Sequence, residues 1–399
     1  MHLSNRQLFL KHVAQTSPAP IGLEITRAEG IHLYDADGRA YIDFISGNSV
    51  SNIGHCHPAV VKAVQEQAAT YMFLMVYGEY IQSPQVQLAK ALSDHLPEAL
   101  DTVYYVNSGA EAVEGALKLA KRATGRTEII CFRDAYHGST HGALSVMGNE
   151  EFKQAFRPLL PGITILEYNS VEAVKAAISD KTAAVIVEPI ASEKGYEPAG
   201  MEFMMAIRYA CHKHGTLMIL DEIQSGFGRS GSLFAFEHYH VVPDILCLAK
   251  GMGGGMPIGC FIGSQALLNT LTHDPVLGHI NTFGGHPVSC AASLACLNTL
   301  VNENIVDTVV AKEKLIRGLL QHPKIKGIQG RGLMLSVGFE SMEINMKVIE
   351  ACIRRGLIVD WFLFNAWSMR VTPPLTITME EIEKSCKIIL EAINEVYST

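Results

Sequence analysis

The chain has 399 residues, of which 48% are hydrophobic and 18% charged, and its formal net charge is −8. This composition is typical of a globular protein and offers no clustered basic face for nucleic acid or an anionic membrane. No run of 18 uncharged apolar residues is present, so we expect no transmembrane helix. Nine cysteines without paired spacing predict free thiols in a reducing cytoplasm, and the amino terminus lacks the apolar region of a signal peptide.

Short apolar runs alternate with helix-period segments from Pro58 onward. The runs TVYYV, TEIICF, TAAVIVEPI, TLMILDEI and DILCLAK predict buried strands, and AEAVEGALKLAKRATG and MEFMMAIRYACHKHG have the spacing of amphipathic helices. The alternation predicts an α/β fold with a mostly parallel sheet and helices on both faces. Near Cys296 the pattern changes to an α+β unit, which we expect the amino-terminal segment to join. The predicted large domain is residues 55–295, and the predicted small domain is discontinuous, with residues 1–54 and 296–399.

Polar residues follow several of these strands, at the sheet edge where α/β folds bind ligands. Lys250, which follows DILCLA, is the only Asp, Glu, Lys or Arg between Asp244 and Asp274. It is either a lysine that reaches solvent or an amine in an apolar pocket, where loss of its charge would make it a nucleophile. Asp221 either caps the next element or, if deeply buried, pairs with a cation such as Lys250 or a protonated ring nitrogen.

Two further motifs have both a structural and a functional interpretation. Ser108, followed three residues later by Glu111, predicts a capping box at a helix start. The same helix start could bind a phosphate, with Gly109 allowing close approach. Tyr136 and His137 lie in a loop, where they could pack in the core or, for Tyr136, stack on a planar ligand.

The glycine run Gly251–Gly255 is not a nucleotide-binding loop, because the lysine precedes the glycines. We instead expect these glycines to let the backbone turn tightly beside a flat ligand. The motif Gly54-His55-Cys56-His57-Pro58 has no second ligand pair, so no metal site is predicted.

Taken in order along nearly the whole chain, these motifs resemble the class III, pyridoxal-phosphate-dependent aminotransferases of fold type I. The resemblance rests on DADGRAYIDF, GHCHP, NSGAEAVE, AYHG, VEPI, ILDEIQSGFGRSG, PDILCLAKGMGGGMPIG, NTFGGHP and RVTPPL. It implies a large domain with a mostly parallel seven-stranded sheet plus a smaller α+β domain. It also implies pyridoxal 5′-phosphate as cofactor and a homodimer with shared active sites.

The resemblance assigns cofactor roles to individual residues. It implies that Lys250 forms the Schiff base and shuttles the proton, and that Asp221 binds the pyridine nitrogen. Tyr136 and Ile223 would pack on the two ring faces, with Gln224 near the phenolic oxygen. The remaining implied cofactor-site residues are Ser108, Gly109 and Ala110 at the phosphate, Thr282 at the partner subunit's phosphate, His137 beside Tyr136, and Glu188 as support for this network.

Four residues bear on the substrate. In the family, the counterpart of Arg370 holds an α-carboxylate, and the counterpart of Glu193 pairs with that arginine when an ω-amine enters. This chain departs from the acetylornithine, ornithine and 4-aminobutyrate branch at Ser139, where HGST replaces HGRT and removes the arginine for a distal carboxylate. It also has Asn48 where ornithine aminotransferases have a tyrosine.

The leading hypothesis is transfer of an amino group from an ω-amine or ω-amino acid to a keto acid, with 2-oxoglutarate as the favoured acceptor. A decarboxylase or aminomutase of the same fold is the first alternative. A non-catalytic regulatory or binding protein with this fold is the second. The expected partners are small molecules and a second copy of the chain, in the cytoplasm, with no nucleic acid and no membrane.

Overall fold

The computed structural model describes residues 3–398 and contains a central seven-stranded sheet with three smaller sheets. The strands, in chain order, are β1 Ile25–Glu29, β2 His32–Asp35, β3 Ala40–Asp43, β4 Thr102–Val106, β5 Glu128–Phe132, β6 Ile163–Leu166, β7 Thr182–Val187, β8 Ile190–Ala191, β9 Glu197–Pro198, β10 Leu217–Asp221, β11 Ile245–Leu248, β12 Gly259–Gly263, β13 Gly327–Arg331, β14 Met334–Gly338, β15 Leu357–Ile358, β16 Asp360–Trp361 and β17 Ser368–Val371.

Thirteen α-helices surround and connect these strands in the described part of the chain. They are α1 Asn5–His12, α2 Ser46–Ser49, α3 Pro58–Thr70, α4 Ser83–Asp94, α5 Gly109–Thr124, α6 His141–Ser145, α7 Val171–Ala177, α8 Met201–His214, α9 Gln265–Leu268, α10 Pro287–Asn302, α11 Ile305–Leu319, α12 Met342–Arg354 and α13 Met379–Ser398. Within residues 3–398, none of these helices has the length and apolar character needed to cross a membrane.

The large sheet has the strand order β4-β12-β11-β10-β7-β5-β6. Six of its strands run in one direction, and β12 alone is antiparallel to its neighbours β11 and β4. Every residue of β7, β11 and β12 is buried, as expected for strands covered on both faces. The predicted α/β fold with a mostly parallel sheet is therefore confirmed.

Alternate residues of the strands face two separate hydrophobic clusters. Ile219 and Ile245 pack with the apolar face of α5 on one side of the sheet. Leu220 and Leu246 point to the other side, into the larger cluster that also holds Leu297 and Ile316 from α10 and α11. The sheet is thus the middle layer between helices, and the carboxyl ends of its parallel strands meet at one edge.

The smaller sheets combine distant parts of the sequence. Strands β1, β2 and β3 from the amino-terminal segment form a sheet with β15, which pairs in parallel with β3. Strands β13, β14, β17 and β16 form a second four-stranded sheet, and β8 pairs with β9. All nine cysteines are free thiols, and only Cys56 is exposed.

Candidate active site

A cavity of about 460 Å³ lies at the carboxyl edge of the large sheet. We call it the central cavity. The residues singled out in the sequence that line it are Ser108, Gly109, Ala110, Tyr136, His137, Ser139, Glu188, Asp221, Ile223, Gln224 and Lys250. Residues far apart in the sequence meet here because β4, β7, β10 and β11 run parallel and end at the same edge.

Lys250 follows β11 and adopts a left-handed backbone conformation with a φ of +49°. Such a conformation is uncommon for a residue with a side chain and is held by the surrounding structure. Burial lowers the pKa of the Lys250 amine, while the charges of Glu193 and Asp221 partly oppose this shift. Desolvation therefore favours a neutral amine, which is the form needed for nucleophilic or base chemistry.

Asp221 is the last residue of β10 and is buried with His137. Its Oδ2 lies 2.7 Å from His137 Nδ1, and its Oδ1 accepts a hydrogen bond from the Ile223 amide at 3.0 Å. Burial opposes protonation of His137, but the hydrogen bond to Asp221 and the charges of Asp221 and Glu188 outweigh it and raise the His137 pKa. The carboxylate is thus fixed in place at the edge of the central cavity.

Glu188 follows β7 and connects two loops at the cavity. Its carboxylate accepts hydrogen bonds from the backbone amides of Tyr136 and Ser192, each at 3.1 Å, and from the Ser192 hydroxyl. Burial raises the pKa of Glu188 to about 7, opposed by the charge of His137. Its hydrogen bonds hold the Tyr136 loop against the sheet edge.

The amino terminus of α5 points into the cavity. Ser108 caps this helix, and its Oγ accepts a hydrogen bond from the Glu111 amide at 3.2 Å. The expected reciprocal half of the capping box is absent, because the Glu111 carboxylate instead accepts from the backbone amide of Asn107 at 2.7 Å. A Cβ on Gly109 would lie 2.8 Å from Ile223, so only glycine fits there. The helix start therefore presents first-turn amides of a 16-residue helix to the cavity.

Tyr136 and Ser139 give the cavity lining an aromatic ring and two hydroxyl groups. The Tyr136 hydroxyl lies 3.2 Å from Ser139 Oγ, and the ring lies 6.5 Å from that of Phe364. Phe152 packs edge-on against Phe364 at 5.2 Å. Lys250 is the only lysine or arginine among the lining residues in the described chain.

Arg370, Glu193 and Asn48 form a cluster that joins the cavity through Gln224. One Nη of Arg370 donates to both carboxylate oxygens of Glu193, at 3.1 and 2.9 Å, and the other donates to Asn48 Oδ1. Asn48 Oδ1 also accepts from Gln224 Nε2 at 3.1 Å. Burial opposes the charge of Arg370, but Tyr196 and the nearby carboxylates outweigh it and raise the Arg370 pKa.

Thr282 is the one predicted site residue that lies away from this assembly. It is exposed on the surface of the single chain and does not line the central cavity. Of the glycines after Lys250, only Gly255 lines the cavity, whereas Gly251 and Gly254 pack against Asn52 and Val60. Tight packing inside the protein, rather than clearance for a ligand, accounts for Gly251 and Gly254.

The family model described as aminotransferase class-III matches residues 13–393. The chain belongs to the class III aminotransferases. It is therefore a pyridoxal-phosphate-dependent transaminase, which uses an amino donor and a keto-acid acceptor.

Several class III relatives match over nearly the full chain. The acetylornithine aminotransferase of Methanopyrus kandleri is 39% identical, with 96% of each chain covered. That of Caldanaerobacter subterraneus is 37% identical, with 93% of this chain and 95% of the relative covered.

Solved structures of this fold superpose closely. An ornithine aminotransferase from Toxoplasma gondii has a TM-score of 0.92 at 28% identity and covers 99% of this chain and 96% of its own. An (S)-enantioselective omega-transaminase from Thermomicrobium roseum has a TM-score of 0.90 at 29% identity, with 100% and 99% covered.

The central cavity of this aminotransferase fits pyridoxal phosphate. The α5 helix start suits a phosphate, and the partly buried Lys250 amine suits an aldehyde. Within residues 3–398, His137 Nε2 and Gln224 Oε1 are buried without a hydrogen-bond partner, which is consistent with a polar ligand completing the site. No group of three or more His, Cys, Asp or Glu side chains in this range is placed to hold a metal ion.

One charged neighbour of Arg370 could not be identified from the sequence. Asp360 Oδ1 lies 3.1 Å from Arg370 Nε, and burial raises the pKa of Asp360 to about 6. Asp360 belongs to no motif, and it meets Arg370 only because β16 and β17 pair in a register that the sequence does not reveal.

Proposed function

We propose that this aminotransferase takes the amino group from a terminal carbon of an ω-amine or ω-amino acid and passes it to 2-oxoglutarate. The observation that carries the proposal is the two-oxygen contact of Glu193 with Arg370 next to Lys250. With Glu193 in place, the arginine is compensated, so a donor without a carboxylate at its reacting carbon can enter. When Glu193 moves away, Arg370 can bind the carboxylate of the keto acid as a planar fork.

The residue roles are proposed from the class III pattern, and the geometry of the central cavity supports them. Pyridoxal phosphate supplies an aldehyde that accepts the amino group and a ring that withdraws electrons. Lys250 Nζ, with its lowered pKa, would bind the cofactor and move the proton of the substrate carbon. Asp221, oriented by His137, would accept a hydrogen bond from the protonated ring nitrogen.

The remaining roles concern orientation of the cofactor. Tyr136 and Ile223 would contact the two ring faces, and Gln224 would lie near the phenolic oxygen. Ser108, Gly109 and Ala110 would hold the phosphate, with Glu188 supporting the Tyr136 loop. Arg370, Glu193, Asn48 and Ser139 would contact or select the substrate.

We further propose a homodimer in which Thr282 reaches the partner subunit's phosphate site. An exposed apolar surface near Thr282 supports this assembly, since the Ile81 side chain is 96% exposed and Val276 is 72% exposed. A second cavity of about 580 Å³ is lined by the segment that carries Ile81 and by the segment that carries Val276. We also propose that the chain divides into a large domain of residues 55–295 and a small domain of residues 1–54 and 296–399. A cytoplasmic location is proposed as well, in keeping with nine free thiols.

The test is an amine-transfer assay on the purified, cofactor-loaded protein. We expect absorption at about 410–430 nm and transfer to 2-oxoglutarate from at least one terminal amine among acetylornithine, ornithine, 4-aminobutyrate, putrescine, lysine and β-alanine. Lys250→Ala should lose this band and reduce turnover by at least about 10²–10⁴-fold. The control Lys213→Ala removes an exposed lysine from α8 and should leave the absorption band and the turnover unchanged.

A protein that does not bind the cofactor, or that transfers no amino group from any donor in the panel, would contradict the proposal. Release of carbon dioxide or migration of the amino group within one substrate would support the decarboxylase or aminomutase alternative. If acetylornithine is preferred over putrescine, a basic group other than residue 139 must bind its distal carboxylate. The inference from Ser139 would then be wrong.

A further inference from the structure

Arg370 is surrounded by more negative charge than a single switchable partner provides. Its side chain is 2% exposed, and its two Nη atoms are occupied by Glu193 and Asn48. Asp360 lies on the remaining edge of the guanidinium, with Oδ1 3.1 Å from Nε. One arginine therefore faces two carboxylates.

The contact between Asp360 and Arg370 is one of charge rather than a well-aligned hydrogen bond. Both Asp360 Oδ1 and Arg370 Nε are buried and, within residues 3–398, neither has a hydrogen-bond partner of acceptable geometry. At 3.1 Å, in a buried setting, the attraction between the charges remains large without that alignment. Asp360 therefore reduces the positive potential of Arg370 without occupying its Nη atoms.

The two carboxylates differ in how they are held. Glu193 lies between β8 and β9, outside the sheet that carries Arg370, and its Oε2 also accepts a hydrogen bond from the Leu363 amide at 3.0 Å. Only side-chain contacts, and no strand pairing, hold its carboxylate at Arg370. Asp360 is in β16 and is the direct cross-strand partner of Arg370 in β17. The Cβ atoms of such cross-strand partners lie about 4.5–5.5 Å apart. Asp360 thus remains beside the guanidinium wherever Glu193 points.

We propose that Asp360 is a specificity-determining residue that keeps Arg370 partly compensated after Glu193 has moved away. It thereby weakens binding of any substrate with a carboxylate next to its reacting carbon. The inference rests on the proposed function, in which Arg370 receives the keto-acid carboxylate. It favours donors whose reacting carbon is a terminal CH2–NH2 and disfavours α-amino acids as donors.

The test compares wild-type holoenzyme with Asp360→Asn, which removes the charge and keeps the shape. Calorimetry with glutarate, a dicarboxylate without a keto group, should show binding about tenfold tighter or more in the variant. The KM for 2-oxoglutarate should fall by a similar factor, while the KM for a terminal amine donor stays unchanged. Asp37→Asn removes the same charge from an exposed turn between β2 and β3. This control should leave the glutarate affinity and the KM values for 2-oxoglutarate and the amine donor unchanged.

Asp360→Ser removes the same charge with a smaller side chain and should also tighten glutarate binding. Asp360→Glu keeps a carboxylate at this position, so its dissociation constant for glutarate should be close to the wild-type value. The inference is overturned if wild-type protein transfers amines but the Asn and Ser variants bind glutarate with wild-type affinity. A wild-type protein that binds glutarate as expected but transfers no terminal amine would instead contradict the proposed function. The binding and transfer measurements thus separate the two failures.

Discussion

His137 is completely buried beside Asp221, and its protonation is coupled to folding. Because the pKa of folded His137 lies above the value of 6.5 for a free imidazole, folding favours its protonated form. Its contribution to stability is therefore complete below pH 6.5 and is lost as the pH rises through the pKa of the folded state. The ion pair with Asp221 is the physical source of this contribution.

Replacing the imidazole by a neutral donor tests this coupling. His137→Asn retains an N–H group for Asp221 but cannot titrate. We expect the wild type to exceed the variant by about 1.5–3 kcal/mol in free energy of unfolding at pH 6, and this difference should shrink as the pH rises towards 9. Denaturant unfolding of the cofactor-free protein measures it, with exposed His212→Asn as control. A difference that stays constant between pH 6 and pH 9 would show that folding does not raise the pKa of His137.

Among the secondary-structure elements, α5 has both a structural and a proposed binding role at its first turn. Ser108→Ala removes the hydrogen bond from the Glu111 amide. The control is Ser341→Ala, which removes the matching cap of α12, where Ser341 Oγ accepts from the Ile344 amide at 3.3 Å. Each should cost about 1 kcal/mol of stability. Only Ser108→Ala should also weaken binding of pyridoxal phosphate, measured by titration of the cofactor-free protein. Equal cofactor affinity in the two variants would exclude a phosphate role for the Ser108 side chain.

The strands that could be predicted from the sequence share one property: they are continuous apolar runs bounded by turn residues. Strands β7 and β11 are buried on both faces, so their composition alone identifies them. Strand β12 is not predicted from the sequence, because only three apolar residues separate its terminal glycines, Gly259 and Gly263. An isolated sequence also does not show that this strand runs antiparallel to its neighbours. The edge strand β6 is partly exposed and gave an equally weak signal.

The same distinction applies to the candidate site. Ser108, Asp221 and Lys250 could be selected from the sequence because each lies at the end of a recognisable strand or within two residues of it. The proximity of Asp360 to Arg370 depends on strand register, and that of Asn48 to Arg370 depends on a chain segment more than 300 positions away. Such contacts are properties of tertiary packing, which one sequence does not encode in any local pattern.

In the whole molecule, Arg229 connects the amino-terminal and carboxyl-terminal parts to the large sheet. Its buried guanidinium donates to Asn52 Oδ1 at 2.6 Å, to Ser46 Oγ at 2.9 Å and to the Leu333 carbonyl at 3.1 Å. These bonds to both Nη atoms offset part of the cost of burying the charge, although Arg229 Nε has no hydrogen-bond partner within residues 3–398. The segments that carry Asn48 and Arg370 are therefore held at a fixed position relative to the central cavity.

A group of exposed apolar side chains lies on the segments before α4 and after α9. Ile81 is 96% exposed, and Val276, Leu277, Ile280 and Phe283 are each at least 45% exposed. Isolated exposed apolar residues are ordinary, but a contiguous group of this kind is typical of a protein interface. Thr282 lies within the same group, so the proposed subunit contact and the proposed phosphate contact would form together.

Ile81→Asp places a charge on this surface, at its most exposed side chain. We expect the variant to dissociate into monomers in sedimentation analysis and to lose most of its turnover, because each site would lack Thr282 of the partner subunit. Tyr209→Asp places the same charge on α8 at a side chain that is 71% exposed, and it should remain dimeric and active. A wild-type protein that sediments as a monomer would contradict the proposed dimer, and a fully active monomeric Ile81→Asp variant would contradict the shared site.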